Sequence, residues 1–131
     1  MKNILGAILL SFVGTAAFAG GFTVQFTWDG LKNCTSGRPN TVGNPAFSLA
    51  GVPGGTKWLY FKLTDLDVPN YRHGGGWIAY TGDPTPAGVF TYKSPCPPNG
   101  VHSYEWKVTA TASKDLANPL GVAAMRLDYP R

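Results

Sequence analysis

The sequence predicts an all-β sandwich. Three observations lead there. Short runs alternate apolar and polar residues with a period of two, 17 glycines and 11 prolines punctuate them, and 3.6-residue periodicity is missing beyond the first twenty positions.

The elements follow in order. Lys2, an apolar run from Ile4 to Val13, and small residues Ala17 and Ala19 around Phe18 read as a secretory signal peptide over 1–19. Cleavage after Ala19 takes 19 residues from 131 and leaves 112, a single domain over 20–131. No later apolar run is long enough to span a bilayer, so an exported protein, periplasmic or secreted and without stable membrane insertion, is expected. Phe22, Val24, Phe26 and Trp28 alternate with Thr23, Gln25 and Thr27, the pattern of a half-buried strand. Leu31 to Asn44 is dense in Gly, Pro, Asn, Ser and Thr and reads as loop. A short strand near Ala46 to Leu49 and a turn at Val52 to Gly55 come next. Lys57 to Asp65 is well patterned, and Trp77 to Tyr80 and Gly88 to Tyr92 are shorter candidates separated by a Pro-rich loop. His102 to Ala112 is the strongest strand pattern, and Gly121 to Leu127 closes the chain after Asn118-Pro119.

Charge narrows the partners. Eleven basic residues against seven acidic give +4, and removing Lys2 lowers this to +3. The basic residues are scattered singly, which argues against a nucleic-acid partner. Cys34 and Cys96 are the two cysteines. An oxidising compartment favours a disulfide between them; the alternative is that Cys96 is a small buried residue of its Pro-rich loop.

Two strand ends carry polar groups where a core should continue. Leu59, Phe61 and Leu63 share a face with Asp65 and Asp67, so an apolar row ends in two carboxylates. His102 and Tyr104 open the face that continues as Trp106, Val108 and Ala110. If these strands run antiparallel, the polar ends meet. A half-buried carboxylate is costly unless paired or hydrogen-bonded, so the convergence reads as a polar pocket at the rim of a β-core. The plainer readings are a turn held by the aspartates and a hydrogen-bonded His-Tyr pair closing the sandwich.

These segments resemble a known family. Asp-Leu-Asp-Val-Pro at Asp65 to Pro69, Pro-Cys-Pro-Pro-x-Gly-x-His-x-Tyr at Pro95 to Tyr104, and NPAFSLAGVPGGTKWLYFKL before them are similar to the phosphatidylethanolamine-binding, Raf kinase inhibitor-like family. The likeness runs from about Trp28 to Ala112, in the family's order. It implies a β-sandwich with Greek-key-type antiparallel sheets and a small pocket at one end for phosphate-like anions, here shortened at the C-terminus. Matching by position gives the pocket residues Asp65, Asp67, Pro69, Pro97, Pro98, His102 and Tyr104. By spacing from Pro69 the family's His-Trp pair falls on Gly76-Trp77, which puts glycine where a pocket histidine stands. His73, in the Gly-rich loop just before, can reach the same space; otherwise it is a solvent-exposed loop residue.

Imidazole, phenol and loop N–H groups can donate to phosphate oxygens, and a carboxylate can accept from an ammonium or orient a histidine. The expected function is therefore a non-catalytic binding protein for a small anionic or phosphate-bearing ligand, with no cofactor and no metal. One alternative is a protein-interaction or hydrolase-inhibitor module with a vestigial pocket, bound to a protein partner. Another is an enzyme acting on a phosphoester. Sharper chemistries lack support: His73 to Gly76 spells HGGG, but no Gly-x-Ser-x-Gly elbow accompanies it. Asp65, Asp67, His73 and His102 follow no metal-ligand spacing.

Overall fold

The computed structural model describes residues 21–131, so the signal-peptide segment lies outside the described residues. These residues form eight strands: β1 (Thr23–Gln25), β2 (Thr41–Gly43), β3 (Ser48–Ala50), β4 (Trp58–Asp65), β5 (Gly75–Ala79), β6 (Thr91–Lys93), β7 (His102–Thr111) and β8 (Gly121–Tyr129). Four of them make an antiparallel sheet in the order β5-β4-β7-β8, and two small antiparallel pairs, β1-β3 and β2-β6, complete the set.

Alternation in β4 and β7 dictates the core. In β4 the residues Leu59, Phe61, Leu63 and Asp65 are buried, and in β7 Tyr104, Trp106, Val108 and Ala110 are. Antiparallel register sets Leu59 against Ala110, Phe61 against Val108, Leu63 against Trp106 and Asp65 against Tyr104. The small sheets lay their side chains on this face. Phe47 packs edge-on to Trp106 with ring centroids 5.2 Å apart, and Tyr92 does so at 4.9 Å. Val24, Phe26 and Trp28 complete the buried cluster beside β8. Each such apolar side chain contributes roughly 1.5–3 kcal/mol on leaving water, which makes the aromatic layer the main stabilising mass.

Several expected boundaries move. The strand read over Phe22 to Trp28 pairs only at Thr23–Gln25, because its partner β3 is three residues long and the chain turns at Gly51 with φ of 66°. Burial still alternates through Phe26 and Trp28. The stretch read as loop from Leu31 to Asn44 contains β2, which has no alternating pattern of its own and exists because β6 pairs with it. The strand placed near Ala46 to Leu49 is β3, two residues later, while Phe47 makes an isolated bridge to Thr85. The strand placed over Gly88 to Tyr92 is β6, which starts three residues later and runs one residue further. Early β5 is glycine, a residue that carries no strand signal. A Cβ at Gly75 would collide with the Phe61 carbonyl, so glycine is what lets this strand lie against β4.

Cys34 and Cys96 form a disulfide, 62 residues apart in sequence. In the chain-entropy picture such a closure stabilises the fold by roughly 4 kcal/mol. Thiol reductant, or a Cys34→Ser/Cys96→Ser pair, should therefore lower the melting temperature by well over ten degrees, to be checked by thermal denaturation; equal transitions with and without reductant would remove the bridge as a stabilising element. A second prediction concerns Thr111, wholly buried, whose hydroxyl finds no hydrogen-bond partner among the described residues. Thr111→Val keeps the shape and removes the unpaired group, so it should raise stability by about 1 kcal/mol in chemical denaturation.

Candidate functional site

Where β4 ends and β7 begins, the ladder turns from apolar to polar. Asp65 is the last residue of β4 and is buried. Its Oδ1 accepts the amide N–H groups of Asp67 at 2.9 Å and Val68 at 3.2 Å, a tight turn that stops the strand. Its Oδ2 accepts from Nδ1 of His102 at 2.7 Å. A carboxylate takes a hydrogen bond rather than giving one, so Nδ1 of His102 carries the proton and Nε2 is left free. Tyr104, directly opposite Asp65 in the ladder, is buried beside the same carboxylate. Burial first, and the Asp65 charge second, push its pKa far above the ordinary phenol value.

His73 joins this group from the neighbouring loop. It is 3% exposed, not a solvent-facing loop residue. Its backbone carbonyl accepts from Lys93 N–H at 2.7 Å, and its ring Nδ1 donates to the Lys93 carbonyl at 2.6 Å. Nε2 therefore carries the free lone pair. The ring stands edge-on to Tyr104 with centroids 5.6 Å apart, and Tyr71 packs against it at 4.6 Å. Desolvation pulls the His73 pKa below 6.5, opposed by its bond to Lys93 and by the Asp65 charge, so the imidazole is neutral at pH 7.

A pocket of about 240 Å³ lies over these groups. Asp65, His73, Pro97, Pro98, His102 and Tyr104 line it, six of the positions chosen from sequence. Two others do not. Asp67 leaves the β4 face because the Asp65 turn ends the alternation; it is exposed and accepts Ser103 N–H at 2.8 Å, fastening the turn to β7. Pro69 is exposed and borders an adjacent groove with Arg72 and Gly74. Val68, Tyr71, Gly37 and Pro39 line the pocket without having been singled out for it. The 34–40 loop reaches it because the disulfide fixes that loop to Cys96, and a Cβ on Gly37 would sit 3.1 Å from Pro98. Nothing in the local pattern of that loop signals the approach.

Gly76, the position that the resemblance matches to a pocket histidine, is outside the pocket. It sits opposite Phe61 on the core side of β5, where a Cβ would lie 3.0 Å from the Phe90 ring. Phe90 fills the space that a side chain there would need.

Oxygens of Asp65 and Asp67 and a ring nitrogen of His102 fall within 4.8 Å of one another. Their bonds to each other and to nearby amides account for that cluster: a metal would have to displace the His102 contact or the amide N–H groups already held. A wider cleft of about 620 Å³, bounded by Trp28, Leu31, Val42 and Tyr92, has no imidazole on its walls. The chemistry thus concentrates in the smaller pocket.

No family model and no curated protein matches the sequence. Solved structures do match. A homologue of the phosphatidylethanolamine-binding proteins, CT736 of Chlamydia trachomatis, superposes with a TM-score of 0.62 at 17% identity, over 86% of this chain and 99% of that one. YbcL of Escherichia coli, described as a member of the mammalian phosphatidylethanolamine-binding protein family, superposes with a TM-score of 0.58 at 21% identity, over 84% and 98%. The chain therefore has the phosphatidylethanolamine-binding-protein fold, as the sequence resemblance implied.

The state of His73 has a measurable consequence. Because its folded pKa lies below 6.5, the unfolded chain binds this proton more readily, and the stability tied to the neutral ring is lost as pH falls from 6.5 through the folded pKa. In an NMR pH titration the His73 ring should change at a lower pH than a free imidazole, and His73→Gln should flatten the fall in melting temperature below pH 6.5.

Proposed function

We propose that the protein is a non-catalytic binding protein whose pocket takes a small anionic or phosphate-bearing head group. The observation that carries this reading is the convergence of two imidazoles with free Nε2 atoms, a phenol and a bonded carboxylate over one space of about 240 Å³. That volume is below the several hundred Å³ usual for drug-sized ligands and suits a head group. Pro97, Pro98, Val68 and Tyr71 supply apolar walls, within which a few polar groups fix orientation.

Protonation sets what is bound. With Nδ1 of each ring committed as a donor, a neutral imidazole offers an acceptor at Nε2, and a protonated one offers a donor. The neutral site favours an ammonium group beside Asp65; the protonated site favours an anion. A zwitterionic head group satisfies both kinds of partner.

Binding fits better than catalysis. Tyr104 resists ionisation because it is buried beside the Asp65 carboxylate, which makes it a poor base or nucleophile at neutral pH. The lining offers no serine, threonine or lysine, and Cys96 is oxidised. The same disulfide supports placing the protein in an oxidising, exported compartment.

Sulfate, whose charge is fixed across the range of interest, provides the test. Followed by NMR below and above pH 6.5, it should give saturable shifts at His73, His102 and Tyr104, tighter at the lower pH. His102→Ala should weaken binding about tenfold, the worth of one charge-assisted hydrogen bond. Saturable shifts at none of these residues, or an affinity untouched by His102→Ala, would sink the proposal.

A further inference from the structure

The outer face of the four-stranded sheet has a feature that folding does not explain. Tyr60 and Lys62 of β4, Trp77 of β5, Lys107 and Thr109 of β7, and Val122 of β8 occupy the positions opposite in parity to the core row. Lys62 and Lys107 are directly opposite each other in the β4-β7 ladder, and both are exposed. Like charges so placed are destabilising, because neither ammonium can leave the other's field without bending its stem away. In register the lysine pair is flanked by Gly75 beside Lys62 and Ala124 beside Lys107, and the nearest carboxylate on this face, Glu105, is diagonal to Lys62 and two residues from Lys107. Among the described residues neither lysine makes an ion pair, and the nearby Glu105 is set across from Arg126.

Beside the lysines the surface is concave and apolar. A groove of about 320 Å³ is walled by Leu116, Pro119 and Val122 on one side and Tyr60 on the other, with both lysines in its lining. Leu116 and Val122 are 47% and 49% exposed, and together they give the groove an accessible apolar wall. The Tyr60 ring is backed by Trp77 at 5.0 Å, which holds it in place. None of these residues lines the imidazole pocket.

We propose that this groove is a second binding site, for an acidic sugar unit of a glycan chain. The sugar's carboxylate would lie between Lys62 and Lys107, relieving their repulsion, while the aliphatic face of its ring packs on Tyr60 and the Leu116–Val122 wall. Lysine suits this role, since two mobile point charges can close on an anion without imposing the planar fork of arginine. Thr109, largely buried, forms part of the groove floor. The lysine pair is flanked in register by Gly75 and Ala124, and Arg126 on the same face is set across from Glu105, so the charge fits one acidic unit better than a polyphosphate backbone, which needs cations along a track. The groove is also recessed, whereas docking on a bilayer calls for an apolar face that can enter it. The site is independent of the head-group pocket.

The test uses the whole chain from residue 20 and isothermal titration with a galacturonic-acid tetramer, its methyl-esterified form, a deoxythymidine oligomer and vesicles containing phosphatidylglycerol. The acidic tetramer should bind saturably, shift the amide signals of Tyr60, Lys62 and Lys107, and be unaffected by His102→Ala. Lys62→Gln and Lys107→Gln should each weaken it about tenfold, one charge-assisted hydrogen bond apiece, with no loss of melting temperature or a small gain. A structural role for either lysine would show the reverse, a loss of melting temperature. No saturable binding of the tetramer, equal binding of its ester, or insensitivity to both substitutions overturns the proposal. Tighter lysine-dependent binding of the oligomer or the vesicles overturns it in favour of those partners.

Discussion

The register between β4 and β7 is the constraint on which this structure depends. One ladder, from Trp58 opposite Thr111 to Asp65 opposite Tyr104, places Phe61 and Trp106 in the core and then delivers a carboxylate to a phenol and an imidazole at its end. A slip of one residue would turn every inward side chain outward, and the loss of aromatic burial at the centre forbids it. The polar end is therefore positioned by apolar contacts some distance away, and the cost of burying Asp65 is offset by the three groups that donate to it.

Much of this was legible in the sequence because β4 and β7 write their alternation openly. Leu59, Phe61 and Leu63 leading to Asp65, and His102 and Tyr104 leading to Trp106, specify two half-buried strands whose polar ends meet if they run antiparallel, as they do. Asp67 shows where such reasoning stops. Alternation describes a strand only while it lasts, and the side chain of Asp65 ends this one by capping two amides. Pro69, two residues further on, is carried out of the pocket with it.

What the sequence hid is long-range. Whether a histidine in a Gly-rich loop is wet or buried depends on whether another segment satisfies its backbone, and Lys93 does so for His73 from twenty residues away. Counting residues from Pro69 likewise selects Gly76, which the structure gives to Phe90. Strand β2 belongs to the same class, since three residues with no pattern become a strand only when β6 is beside them. A histidine thus lines the pocket from a place in the chain that counting from Pro69 does not select.

The disulfide has a topological side. Joining Cys34 to Cys96 makes the intervening chain a covalent ring that contains β2 to β6, while β1 precedes it and β7 and β8 follow as a tail. The four-stranded sheet is then built half from ring and half from tail, with the β4-β7 ladder as the seam between them. A proteolytic cut in an exposed loop of the ring, such as the Gly82 to Pro84 segment, opens the ring but leaves both fragments joined through sulfur and zipped across that seam. The molecule tolerates nicking there in a way that a cut between β7 and β8, outside the ring, does not share.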